Sequence, residues 1–234
     1  MNRLRLRGCW DEVIGLLAES ARDTPADAVE LAATMVERSM YTMENWIIAE
    51  EAVTQAQDLV EGNNQLTGAA ALERAYLAYG LTRLGLDDQT EVAEAALRRA
   101  DEVLPVNSPR RRLLLFRTGL VRQHLTDAPE VATELYRAAL LAAEATRDKL
   151  LHADILQQLG ELAQTQEGPA AARELFADTL RLRVEAGCII GLAPAMVALA
   201  EVSTPEEAQA LRAEATRLHA ALGSVPVWLF DGFH

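Results

Sequence analysis

Five alanines, Ala52, Ala93, Ala132, Ala172 and Ala208, recur at spacings of 41, 39, 40 and 36 residues. Each sits in a stretch with helical apolar spacing, where a small side chain lets a second helix approach closely. A period of this length is one two-helix unit used repeatedly, and such units bury their apolar faces only by stacking on their neighbours. The pattern predicts an all-α chain, a solenoid of stacked antiparallel helix hairpins. Composition agrees. Half of the residues are hydrophobic but only 5% are aromatic, so the core has to be built from Ala, Leu and Val, which suits close-packed helices better than sheets.

Helix boundaries are legible in the turn chemistry. Pro109, Pro129, Pro169 and Pro205 stand where a first-turn N–H needs no intrahelical partner. Thr204-Pro205-Glu206-Glu207 has the form of a capping box, and Ser108 and Asp127 are expected caps. Gly62, Gly85, Gly187 and Gly223 follow apolar runs and are expected to stop helices in the left-handed conformation. Pro194 is tolerated if its helix begins near Gly191 and otherwise kinks it. These signals give about eleven helices, at roughly 8–21, 25–40, 44–61, 66–84, 89–103, 108–125, 128–146, 149–165, 169–186, 190–202 and 205–222. Short linkers make successive helices antiparallel. Residues 1–234 read as one domain, with divergent helices at 1–44, repeats at 45–222 and an aromatic tail at 223–234.

Charge narrows the partners. The formal net charge of -13, from 35 acidic and 22 basic residues, opposes binding to phosphate backbones and anionic lipid. Residues 1–65 hold five arginines against twelve acids, the wrong balance for a duplex-binding helix-turn-helix. Neither nucleic acid nor membrane is an expected partner, and no run of 18 uncharged apolar residues occurs. The basic residues are 21 arginines and the single Lys149, a bias that suggests a GC-rich bacterial coding sequence. Cys9 and Cys188 lie 179 residues apart without metal or redox spacing, and the opening MNRLRLRGCW leads into no apolar run of secretory length. A cytoplasmic protein is expected.

Chemistry is not signalled. His124, His152, His219 and His234 are scattered, His152 and Asp154 point apart on a helix, and no metalloprotease, serine-nucleophile or phosphate-loop motif occurs. No catalytic residue, metal or cofactor is expected.

The repeats resemble the tetratricopeptide family, on Leu159-Gly160 followed by Ala172 and Phe176. Ala132, Tyr136 and Ala139 follow the same pattern, as do Ala93, Ala100 and Pro105, and Ala208 with Ala215. Units of about 40 residues exceed the usual 34 or so, no unit carries the family's Trp, and the first 45 residues match poorly. In these respects the chain is similar to longer bacterial variants, such as the repeat regions of large transcription activators and signalling ATPases. The resemblance covers about residues 45–222. It implies a right-handed superhelix and a protein- or peptide-binding scaffold, with the first helix of each pair lining a concave groove, and it implies no reaction.

On that register Asp154, Gln157, Glu161 and Gln164 form one polar face of a first helix, either a solvated side or a row of groups gripping a peptide backbone. The only strongly basic stretch holds Arg110, Arg111, Arg112, Arg117 and Arg122, with no acid between Glu102 and Asp127. Arg110, Arg117 and His124 recur every seven residues and share a face able to hold a carboxylate or phosphate. The alternative is pairing with acids of adjacent helices, for instance Glu91, Glu130 or Glu134. Tyr76, Tyr79 and Arg83, with Arg74 close by, could stack on a ligand or form core. Met35, Met40, Tyr41, Met43 and Trp46 read as core filling or as an adaptable groove. The tail VPVWLFDGFH carries Trp228, Phe230 and Phe233, each worth roughly 1.5–3 kcal/mol when buried. It is expected either to cap the last repeat or to insert into a second copy, giving a homodimer.

Two functions follow as expectations: a non-enzymatic binding scaffold, or a regulator sensing a small ligand or peptide. The second requires an enclosed pocket.

Overall fold

The computed structural model of the chain describes residues 2–60 and 62–222. Among them are twelve α-helices, one 3-10 turn and no strand. In chain order the helices are α1 (Asn2–Arg5), α2 (Trp10–Leu17), α3 (Pro25–Thr42), α4 (Trp46–Leu59), α5 (Asn64–Arg83) and α6 (Thr90–Val103). They continue as α7 (Arg111–His124), α8 (Pro129–Thr146), α9 (Lys149–Gln166), α10 (Pro169–Ala186), α11 (Ile189–Glu201) and α12 (Pro205–Leu222). The fold is all-α. No helix among the described residues is long and apolar enough to cross a membrane.

The helices group into two compact units. Cys9–Leu135 form the first, and Asn2–Gly8 together with the described residues 136–222 form the second. The division falls inside α8. In the first unit α3 packs with α4 and α5 with α6, while α3, α5 and α7 contact one another in sequence order. In the second, α9 pairs with α10 and α11 with α12, and α10 packs on α11. Within each unit, neighbouring helix pairs therefore pack against each other.

The alanine rhythm has the expected physical cause. Ala93, Ala132 and Ala172 are fully buried and Ala208 is 6% exposed, each being the fourth residue of its helix, α6, α8, α10 or α12. In α4 that place belongs to the fully buried Ala49, and Ala52 lies nearly one turn later. Four residues on stand Val53, Leu97, Tyr136 and Phe176, all buried, whereas Arg212 occupies the place in α12 and is exposed. Phe176 lies directly over Gly160 of α9, where a Cβ would come within 2.5 Å of its Cε1. The Leu-Gly, Ala and Phe pattern is thus one interhelical contact. Around it, Phe176 and Ala172 cluster with Val202, against which Ala198 and Leu199 pack.

Several boundaries differ from expectation. The stretch 8–21 breaks into α2 and the 3-10 turn Ser20–Arg22, where the Ser20 hydroxyl bonds back to the Leu17 carbonyl at 3.4 Å and competes with helix continuation. α5 starts at Asn64 because the Asn63 side chain accepts the Leu66 N–H, 3.1 Å. Pro109 opens a turn, not a helix: Ser108 Oγ accepts the Arg110 N–H at 3.2 Å, and α7 begins at Arg111. Asp127 is left-handed (φ 49°), and the Ala132 N–H bonds to the Ala128 carbonyl, so Ala128 stands in the capping position of α8. α11 begins at Ile189, which makes Pro194 its sixth residue, unable to donate to the Ile190 carbonyl. The Thr204 box closes as expected, the Glu207 N–H donating to Thr204 Oγ1 and the Thr204 N–H to Glu207 Oε2. Gly62, Gly85 and Gly187 have φ of 81°, 66° and 69°. Gly223 and the tail residues Trp228, Phe230 and Phe233 lie outside the described residues.

Candidate functional site

α5 has more buried residues than any other helix lying wholly in the first unit, and Glu73 is its sole acid. That carboxylate is 3% exposed, a placement that demands a charged, hydrogen-bonded partner. Arg117 of α7 supplies it through two parallel bonds, Nη1 to Oε1 at 3.1 Å and Nη2 to Oε2 at 3.0 Å. The guanidinium carbon also lies 4.6 Å from the centroid of the Tyr76 ring. Tyr76 and Tyr79 stack with centroids 6.0 Å apart and planes 5° from parallel, and the His124 imidazole follows 5.9 Å from Tyr79. A column of guanidinium, two phenols and an imidazole results, pinned at one end by the buried ion pair. Tyr76 and His124 are half-buried and Arg83 is exposed, so the column has an open side.

Two expected candidate sets thereby meet in one place, with one change of role. Arg117 is 9% exposed and occupied by Glu73, so it holds the column instead of offering a fork to a ligand. Three others of the arginine stretch, Arg111, Arg112 and Arg122, are also internally bonded. Arg111 bonds to the Asp101 carboxylate and, at 2.7 Å, to the Leu104 carbonyl; Arg122 reaches Glu94 at 2.7 Å. Arg112 donates to the Pro109 carbonyl at 2.7 Å, and Arg110 is half-buried at the start of α7. Pairing with neighbouring helices holds, but through Glu73, Glu94 and Asp101 and not through Glu91, Glu130 or Glu134. Arg74 is likewise engaged with α4, through Gln57 Oε1 (3.2 Å), Glu50 Oε1 (3.1 Å) and Thr54 Oγ1 (2.8 Å).

Of the methionine and aromatic cluster, Tyr41 is buried in the core, and Met40 and Trp46, half-buried, pack toward Gly80. A Cβ on Gly80 would lie 2.3 Å from the Met40 sulfur and 3.1 Å from the Trp46 ring, and Tyr41 packs 5.0 Å from Trp10. Between α4, α5 and α6 runs an open cleft of about 450 Å³, lined by Gln57, Val60, Gly62, Asn64, Thr67, Ala71 and Arg99. No sequence signal marked it, because its walls come from three helices.

In the second unit the polar stripe lies on α9 as expected. Gln157 Nε2 donates to Glu161 Oε1 at 3.1 Å and Gln158 Nε2 to the same oxygen at 3.4 Å. The Gln157 amide oxygen is buried and accepts no hydrogen bond within the described residues. Gln164 is half-buried. Asp154, 47% exposed at its side chain, receives Arg183 Nη2 at 3.2 Å, while Arg183 Nη1 donates to the Gly191 carbonyl at 2.7 Å. Arg183 thus ties α9, α10 and α11 together, a role that nothing in the local sequence announced. On the exposed side of α10, Glu185 is held below the ordinary carboxylate range by hydrogen bonds from Lys149 and then Arg181. No group of three or more His, Cys, Asp or Glu side chains able to hold a metal occurs among the described residues.

An all-helical chain of paired rods, with polar and aromatic surfaces, is the class that this fold and these sites define. No family model matches the sequence, and no curated protein matches it. Among solved structures it is similar to the crystal structure of BtubC (BKLC) from P. vanneervenii, with a TM-score of 0.56 and 18% identity over 100% of this chain and 94% of that one. At that identity the likeness is one of fold.

Proposed function

We propose that the chain is a right-handed solenoid of tetratricopeptide-like hairpins acting as a non-enzymatic scaffold for a protein or peptide partner in a bacterial cytoplasm. The observation that supports this best is the buried Glu73 and Arg117 pair, which fixes the Tyr76, Tyr79 and His124 column in place before any partner arrives. A partner meeting a fixed surface orders few receptor side chains on binding, each of which would cost about 0.5–1.5 kcal/mol. The acceptor stripe of α9, Asp154, Gln157 and Glu161, is a second contact surface, suited to hydrogen-bonding an extended or helical peptide.

Affinity capture from lysate of the native host tests the reading when run in parallel on the unaltered chain and on Tyr76→Ala and Gln157→Ala variants. Arg117 is left intact because its loss would unbalance a buried charge. A partner retained by the unaltered chain and lost from at least one variant supports the scaffold. Retention by both variants removes both surfaces from the account.

The cleft at Gln57 and Arg99 favours a second reading, a regulator that senses a small polar ligand. A thermal-shift screen distinguishes them, since a ligand present at 100 times its Kd raises stability by about 2.7 kcal/mol.

A further inference from the structure

We infer that the second unit carries a docking place for a short segment in which arginine and leucine alternate, and that residues 2–8 of the chain are its resident occupant. This deepens the scaffold reading by giving the chemistry of a partner, a basic and apolar segment, and rests on that reading for the existence of one.

The segment Asn2–Gly8 groups with the second unit although Cys9, its direct continuation, belongs to the first. It is hydrogen-bonded to that unit at the beginning of α11. The residue before that helix, Cys188, contributes no side-chain cap, so the first-turn N–H groups need partners from elsewhere. The Ile190 N–H finds one in the Leu6 carbonyl, 3.3 Å away and 184 residues earlier in the chain (190 minus 6). Leu4, Arg5 and Leu6 are half-buried, whereas Arg3 and Arg7 are exposed. α11 opens with Ile189, Ile190 and Leu192, all half-buried, which are apolar side chains of the kind that leucines pack on.

Oxygen acceptors lie on α9. Arg183 spans from the Gly191 carbonyl to Asp154, so the carboxylate lies within one guanidinium of the start of α11. Along the same helix follow the unsatisfied Gln157 oxygen and Glu161. These are acceptors, and the segment offers three arginines and no acid. Guanidinium groups match carboxylate and amide oxygens in strength and geometry. Held in cis, the segment acts at an effective concentration of about 1 mM. A free peptide whose own Kd is about 100 μM is then weakened roughly tenfold, and a partner of the same chemistry binds by displacing the arm.

The test uses the full chain and a Leu4→Ser/Leu6→Ser variant, with a fluorescently labelled peptide, Asn-Arg-Leu-Arg-Leu-Arg-Gly, read by anisotropy. Binding to the variant at least tenfold tighter than to the unaltered chain is expected. A control peptide with both leucines replaced by serine has the same charge and should bind the variant at least tenfold more weakly than the labelled one. Equal binding of the two peptides, equal affinity for the two chains, or no binding to the variant overturns the inference. A second readout needs only the unaltered chain: amide hydrogen exchange at Ile190 is expected to be at least tenfold slower than in an unstructured peptide. Exchange there at the unprotected rate overturns the inference even if the variant fails to fold. Either failure leaves the Tyr76→Ala capture result standing, because that surface belongs to the other unit.

Discussion

Glu73 and Arg117 give the sharpest energetic consequence of the structure. Both groups are nearly inaccessible, 3% and 9% exposed, and two bonds of 3.1 and 3.0 Å join them. With charges about 4 Å apart and an effective dielectric constant of about 20, their attraction is about 4 kcal/mol. Arg117→Met removes that attraction and leaves a carboxylate in the core, and Glu73→Leu leaves a guanidinium there. Breaking a buried pair from one side costs about 3–5 kcal/mol. For a chain of this length that corresponds to a fall in Tm of roughly 6–20 °C. The double variant Glu73→Leu/Arg117→Met leaves no orphaned charge, and replacing a whole buried pair with apolar groups is often neutral or stabilising by about 1–4 kcal/mol. Urea unfolding followed by far-UV circular dichroism on all four proteins closes the cycle. Two destabilised single variants and a double variant close to the unaltered chain are expected. Single variants within about 1 kcal/mol of the parent would mean a screened, exposed pair, and a double variant no better than the worse single would refute the argument from orphaned charge.

Gly160→Ala places a Cβ 2.5 Å from the fully packed Phe176 ring; overpacking of about 1–3 kcal/mol outweighs the helix-propensity gain of about 1 kcal/mol. Net destabilisation in urea melts is expected, and it should vanish in a Phe176→Leu background. His219 is 2% exposed, and burial holds its pKa below the ordinary value of about 6.5. The folded protein therefore binds that proton less readily than the unfolded chain, so stability is fully present above about pH 6.5 and declines as pH falls below it. Tm measured from pH 7.5 to 5 should drop less for His219→Gln than for the unaltered chain, and parallel slopes would contradict the assignment. Thr204→Ala removes the acceptor for the Glu207 N–H and should cost about 1 kcal/mol; no change would mean that Pro205 alone fixes that helix start.

The fold was legible where its determinants are local or repeat at fixed distance. Gly160, Ala172 and Phe176 specify one interhelical contact through size alone, and Thr204 with Glu207 specify a helix start within four residues. The site was half legible. Tyr76 and Tyr79 share a helix face and so announced themselves, as did Asp154, Gln157 and Glu161. What the arginines do was not legible, because their partners are set by stacking: Glu73 is 44 residues from Arg117 and Glu94 is 28 from Arg122. A basic stretch without a nearby acid reads as a ligand surface until the neighbouring helices are in place. One signal was available for Glu73: the only acid of ALERAYLAYG, among small and apolar residues and with Arg74 projecting to another side of the helix, demands a counter-charge. The Leu6 contact with Ile190 carried no sequence signal, since a backbone carbonyl has no residue identity.

The central claim is that stacked hairpins hold fixed polar and aromatic surfaces on α5, α7 and α9 for a partner. Isothermal titration of the captured partner into the unaltered chain and into a Tyr76→Ala/Gln157→Ala double variant measures it directly. At least tenfold weaker binding by a variant that keeps the parental circular dichroism spectrum is the predicted result, and equal affinity for the two proteins would contradict the account.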